Sequence, residues 1–236
     1  MIECKNLNYQ YEKKDDSFKL EDINLQVKEG YFTCLVGHNG AGKTTLLKLL
    51  YGMLMPESGD VLFEGDKITG AEERAEYHKH TAYVGEDWCV PFLTVKENAD
   101  TLAVLYPDFD WKLFDELLKR FDFDAMDSLY FKLSSGQKMK FNLCFQLARR
   151  PDYVILDEPL ANLDVVAKQD IIEVLQQGIG EWNMGVLMST HLLDEVSDIV
   201  DYIAVIEGGR LEEYGDRHEM FEKHNTDTLK DVARRT

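Results

Sequence analysis

Gly37-His38-Asn39-Gly40-Ala41-Gly42-Lys43-Thr44-Thr45 is the stretch on which the reading of this chain turns. It follows a short apolar run, Tyr31-Phe32-Thr33-Cys34-Leu35-Val36, with the composition of a buried strand. It opens a helix expected over 44–51, with Gly52 placed to end it. Strand, glycine-rich loop and helix in that order make a phosphate-binding loop. Gly37, Gly40 and Gly42 let the backbone curl so that successive N–H groups face a polyphosphate. The helix adds the positive end of its dipole. Lys43 can reach the β- and γ-phosphates, and the Thr44 hydroxyl is placed for Mg²⁺. All nine residues are therefore assigned to a nucleoside triphosphate, with Lys43 also counted as catalytic.

Working outward, the run Tyr153-Val154-Ile155-Leu156 reads as a parallel strand buried on both faces, and it ends in Asp157-Glu158-Pro159. Open α/β sheets bind ligands at the carboxyl ends of their strands, which is where these two carboxylates fall. Asp157 is the natural second anchor for Mg²⁺. Glu158, one residue further, points elsewhere and is the candidate general base for the attacking water.

Other segments complete the pattern. Leu133-Ser134-Ser135-Gly136-Gln137 precedes a helix expected over 138–150; Ala161-Asn162-Leu163-Asp164 follows the carboxylates; Ser189-Thr190-His191 ends a second apolar run. The set, in this order, resembles the ATP-binding cassette (ABC) ATPases over essentially the whole chain. The resemblance implies an α/β fold of P-loop type, with a mixed central sheet and flanking helices. An N-terminal antiparallel β-subdomain and an inserted α-helical subdomain would complete it. It implies ATP and Mg²⁺ as cofactors and ATP hydrolysis as the reaction. Ser134, Ser135, Gly136 and Gln137 would face the γ-phosphate held by a second cassette, identical or paralogous. Asp164 would lie near the dimer seam, and His191 would contact the γ-phosphate and the attacking water.

For the adenine, Tyr11 aligns with the stacking aromatic of similar proteins, and Tyr9 is the alternative on the same strand. Two positions depart from the family pattern. Glu86, followed by Asp87, stands where a glutamine touches Mg²⁺ in the family; a carboxylate binds a hard cation at least as well, so Glu86 is read as its replacement. Ser135 stands where a glycine is usual, which strains the loop in principle because serine forbids some backbone conformations.

The layout is one domain of 236 residues, divided as 1–86, 87–149 and 150–236. Short strands are expected before residue 33, with the polar segment 12–17 as an exposed turn. Apolar spacing reads as helical over 95–106 and 110–121, the region where similar proteins carry a lobe that docks on a membrane partner. Trp88, Phe92 and Phe109 are candidates for that contact or for the lobe's own core. Toward the end, a helix over 192–198 precedes a strand pair turning at Gly208-Gly209, and the stretch from Asp216 is polar and helical.

Four cysteines without a CxxC pair indicate neither a zinc site nor a disulfide framework, which suits a reducing cytosol. No apolar run is long enough to cross a bilayer, so transport would need a separate permease. A formal net charge of −18 argues against nonspecific nucleic-acid binding and against direct adsorption to an anionic membrane. The expected place is therefore cytoplasmic, on the inner membrane face and held there by the permease. The segment Tyr106-Pro107-Asp108-Phe109-Asp110 and the short C-terminus resemble exporter ATPases, so export of a drug or peptide is expected. The alternative is a soluble ATPase of a cytosolic assembly machine, such as one for iron–sulfur clusters.

Overall fold

The structure, a computed structural model, describes residues 1–11, 18–85, 88–161 and 163–235. The expected turn at 12–17, Glu86 with Asp87, and Asn162 lie outside the described residues.

The chain opens with two long strands, β1 (Ile2–Gln10) and β2 (Lys19–Val27), then β3 (Phe32–Val36) and helix α1 (Lys43–Tyr51). β4 (Ser58–Phe63) and β5 (Asp66–Lys67) return beside β1, giving an antiparallel sheet in the order β2-β1-β4-β5. Its register sets Cys4 opposite Leu25 on one side and Val61 on the other, so that alternate residues share one buried face. Helix α2 (Ala71–His80) leads directly into β6 (Thr81–Val84). Helices α3 (Val95–Ala103), α4 (Trp111–Arg120) and α5 (Ser135–Leu147) form the inserted lobe. The chain then runs through β7 (Tyr153–Asp157), α6 (Val165–Trp182), β8 (Gly185–Ser189), the single turn α7 (Leu193–Val196), β9 (Tyr202–Glu207) and β10 (Arg210–Asp216). It ends in α8 (Arg217–His224) and α9 (Leu229–Arg235).

The second sheet has the order β10-β9-β3-β8-β7-β6. Its five strands from β9 to β6 run parallel, and β10 closes one edge antiparallel. The mixed sheet is thus as expected, and its composition explains itself. Every residue of β3 and β8 is buried, so neither strand has a polar face to alternate with an apolar one. One face packs on α1 and the antiparallel sheet through Leu35, Ile155 and Leu187. The other packs on α5, α6 and the lobe through Val154, Leu156 and Val186.

The lobe is stitched by aromatic rings. Phe145 meets Trp88, Tyr106, Phe109 and Phe114, with centroids 5.3, 6.2, 4.8 and 6.3 Å away. Phe109 is therefore a core residue, its burial worth roughly 1.5–3 kcal/mol, whereas Trp88 is half-buried and packs against that core. Phe92 alone of the three candidates remains outside, 77% exposed and resting on Phe131.

Helix limits differ from the sequence expectation where capping decides them. Helix α5 begins at Ser135 and not at Lys138, because Ser134 and Gln137 form a reciprocal capping box. It stops at Leu147, and Arg150, ahead of Pro151, takes a left-handed φ of 50°. The helix expected over 95–106 ends at Ala103, and Asp110 is the cap of α4 and not part of it.

Candidate functional site

β3 delivers the chain to Gly37, and α1 starts six residues later at Lys43. Gly42, the residue before α1, has φ 111°, and a Cβ there would meet Phe18 Cζ at 2.6 Å and Leu20 Cδ2 at 2.7 Å. Both the backbone and the neighbouring strand therefore require glycine at this point. Gly37 is confined differently: a Cβ would lie 2.3 Å from the Ile206 carbonyl oxygen of β9. His38, Asn39 and Gly40 form the exposed tip, and Ala41 is buried beneath it. No side chain caps the first turn of α1 and no carboxylate sits in it, so its N–H groups are open to an anion.

Lys43 is only 7% exposed, and its Nζ donates to the carbonyls of Gly37 (2.8 Å) and His38 (3.3 Å). The loop thus holds its own cation at its centre. Thr44 is exposed, whereas Thr45 is buried and its Oγ1 lies 3.2 Å from the Tyr11 hydroxyl. Tyr11 stands one residue past β1, 53% exposed. Tyr9 is still within the strand and packs on the core, its ring edge-on to that of Tyr11 with centroids 5.1 Å apart, and Tyr11 is the one that lines the groove. That groove, about 500 Å³, is walled by Tyr11, Phe18, the loop, Lys43 to Thr45, and Glu158.

Asp157 ends β7, and its Oδ1 accepts a 2.6 Å bond from Ser189 Oγ at the end of β8. Glu158 has φ 50°, a left-handed conformation that costs a non-glycine residue roughly 1–3 kcal/mol. Ser189 holds it there: the Glu158 N–H donates to both the carbonyl oxygen and Oγ of Ser189, each at 3.1 Å. The reversal turns the Glu158 side chain away from Asp157. Its Oε2 accepts from the His191 backbone N–H (3.2 Å) and lies 2.7 Å from His191 Nδ1. Its Oε1 is 3.7 Å from Lys43 Nζ. Lys43, Glu158 and His191 form one continuous chain of charge and hydrogen bonds. Beneath them, burial pushes the Cys34 thiol up to about 12, which leaves it unreactive.

Thr44 and Asp157 are hard oxygen donors. Among the described residues no group of three or more His, Cys, Asp and Glu is arranged for a metal. Such a sparse set fits Mg²⁺, which keeps its waters and takes one or two protein oxygens together with substrate phosphates.

Ser134, Ser135, Gly136 and Gln137 occupy the start of α5, and none of them lines the groove. Ser134 Oγ accepts from the Gln137 N–H at 3.2 Å, and Gln137 Oε1 accepts from the Ser134 N–H at 3.0 Å. Ser135 sits in the first helical turn and is not among the residues of positive φ, so the strain expected from replacing glycine is absent. Asp164 caps α6, its Oδ1 accepting from the Ala167 N–H at 2.9 Å, and this bond holds its carboxyl below the usual range.

Two contributors were missed in the sequence. In the sequence Ser189 is only a neighbour of His191, and the β7–β8 pairing is what makes it the anchor of both carboxylates. Phe18 carried no signal, since its place in the groove arises from packing against Gly42.

The family model for ABC transporter matches residues 20–161. This chain belongs to the ABC transporter family. It is the ATP-binding, ATP-hydrolysing domain of such a transporter. This ABC ATPase is 31% identical over 238 residues to the energy-coupling factor transporter ATP-binding protein EcfA1 of Streptococcus sanguinis (strain SK36), covering 97% of this chain and 84% of the relative. The solved structure of an ATP-binding subunit of an ABC transporter matches it with a TM-score of 0.88 at 25% identity, over 100% of this chain and 98% of the other. The structure of cbiO1 from Clostridium perfringens, part of the ABC transporter complex cbiONQ, matches with a TM-score of 0.75 at 29% identity, over 99% and 93%. Among the described residues of this ABC ATPase, no helix is long and apolar enough to cross a membrane.

Proposed function

We propose that this ABC ATPase drives a separate membrane permease by ATP-dependent pairing with a second cassette, and that each reaction centre is shared between the two. The observation that carries this is the Lys43–Glu158–His191 chain beside a loop built for phosphate, while Ser134 to Gln137 stay outside the groove. ATP lies with its base on Tyr11 and its phosphates on the N–H groups of 37–45. Lys43 exchanges its carbonyl partners for the β- and γ-phosphates. Thr44 and Asp157 would hold Mg²⁺, with Glu86 as the further donor expected from the sequence, and the ion would supply charge neutralisation at the phosphates. Glu158 takes a proton from water as the water oxygen bonds to the γ-phosphorus and the bond to the bridging oxygen breaks, leaving ADP and phosphate. His191, with Nδ1 on Glu158, presents Nε2 to the γ-phosphate. The start of α5 from the second cassette closes the γ-phosphate side, and Asp164 lies along the seam.

The permease contact falls to the lobe, where Phe92 and Phe131 stay exposed. The protein then sits on the inner membrane face through that contact and not through nucleic acid or lipid. The relatives named as transporter subunits favour this over a cytosolic assembly machine. Export of a drug or peptide is the directional part of the proposal; Tyr106 and Phe109, which suggested it, pack inward on Phe145 and give it no structural support. The test is purification of the native complex from detergent-solubilised membranes, followed by ATP-driven flux in inside-out vesicles. A co-purifying multi-span protein and ATP-dependent uptake into the vesicles are expected. Recovery without any membrane protein would refute the permease, and flux in the opposite sense would refute export.

A further inference from the structure

A second groove, about 260 Å³, opens behind the first. Gly37, His38, Thr190 and His191 form one wall, and Lys230 and Arg234 of α9 form the other. The two grooves meet at one place: His38 lines both, Glu158 lines the first, and its partner His191 lines the second. The Glu158–His191 contact is thus the partition between them. Helix α9 is held firmly in position, with Leu229 1% and Val232 0% exposed, and Lys230 pairs with Asp194 of α7, the turn that follows His191. Arg234 is exposed and, among the described residues, pairs with no carboxylate. Arg234 is thus a cation left over at the groove, beside a Lys230 already shared with Asp194, in a chain with 44 acidic and 26 basic residues.

We propose that this second groove is a binding site for inorganic phosphate, through which the product of hydrolysis leaves while ADP still fills the first. The inference rests on the ATPase reading above for the origin of the phosphate, though not for the groove's affinity. A tetrahedral dianion formed beside Lys43 and Glu158 has ADP on one side and the partition on the other. When His191 separates from Glu158, the partition opens onto a space too small for a nucleotide, where Arg234 and Lys230 stand among the apolar Val36, Leu193 and Ala233. A guanidinium binds phosphate oxygens through two parallel N–H bonds, and an ammonium adds a point charge. The local positive field also holds the dianion against the acidic surface beyond.

The test titrates inorganic phosphate into the ADP-loaded full chain, followed by ³¹P NMR, and measures phosphate release with a fluorescent phosphate sensor in a single turnover. Arg234→Gln and Lys230→Met remove surface charges and leave Leu229 and Val232 in place. Each is expected to weaken phosphate binding at least fivefold and to slow release at least threefold relative to ATP cleavage. Arg234→Glu should exceed both, and Arg234→Lys should restore most of the loss. Parental phosphate affinity in all four variants would overturn the site. Weakened affinity with an unchanged ratio of release to cleavage would mean that the groove takes only external phosphate, and would overturn the exit route. Absence of ADP formation by the parent would instead refute the ATPase reading, and the titration would still decide the groove.

Discussion

Glu158 does two incompatible things well: it follows Asp157 directly, yet it faces His191 and Lys43. The left-handed backbone at φ 50° is what separates the two carboxylates, and Ser189 is what holds that backbone. Glu158→Gln is therefore expected to keep ATP binding and to lower turnover by about 10²–10⁴-fold, the usual loss on removing a general base. Steady-state ATPase rates with equilibrium nucleotide binding check both halves; turnover at the parental rate would assign the base elsewhere. Lys43→Ala should act on binding itself, since it removes the buried cation at the centre of the loop. Ser189→Ala should lower turnover while leaving nucleotide affinity near that of the parent, because it removes the hydroxyl bonded to the Glu158 N–H and to Asp157, leaves only the carbonyl bond to hold the Glu158 backbone, and does not touch the loop. Lys43, Asp157 and Glu158 were legible in the sequence because loop and strand end are local patterns. Ser189 and Phe18 were not, because their roles come from contacts with residues far along the chain, Ser189 with Glu158 and Phe18 with Gly42, that no local spacing encodes.

Elements behaved as their periodicity indicated wherever one physical factor governed them. The continuous apolar runs of β3 and β7 became parallel strands, and the short strands expected ahead of them became β1 and β2 of an antiparallel sheet. Where capping governed, the sequence misplaced the ends, as with the early start of α5 at Ser135. The lobe aromatics were ambiguous because a ring exposes the same composition whether it faces a partner or a neighbouring helix. Asp110 shows how a cap also sets acid stability. The Leu113 N–H, then Arg150, hold its carboxyl below the usual aspartate range. A group depressed on folding stabilises fully above its unfolded pKa and loses that contribution as pH falls through its folded value. Asp110→Asn keeps a capping oxygen and removes the titration. Its melting temperature is expected to fall less steeply than the parent's between about pH 5 and pH 3, as read by thermal denaturation. Identical slopes would show that Asp110 does not contribute.

The whole molecule gathers Lys43, Glu158 and His191 on the sheet and sets the start of α5 outside their groove, which the proposed sharing of a reaction centre between two cassettes requires. The strand order puts β3, β8 and β7 side by side, so loop, carboxylates and His191 converge from three distant parts of the chain. The lobe carries Ser134 to Gln137 on a separate helix start, with no part in the same groove. A molecule built this way should turn over poorly alone. The direct measurement is ATPase activity per chain across a wide range of protein concentration, with the oligomeric state followed by sedimentation in the same buffer. A reaction centre shared between two cassettes predicts that activity per chain climbs with concentration and levels off as dimers fill. Full activity per chain at every concentration, from a species that sediments only as a monomer, would contradict it.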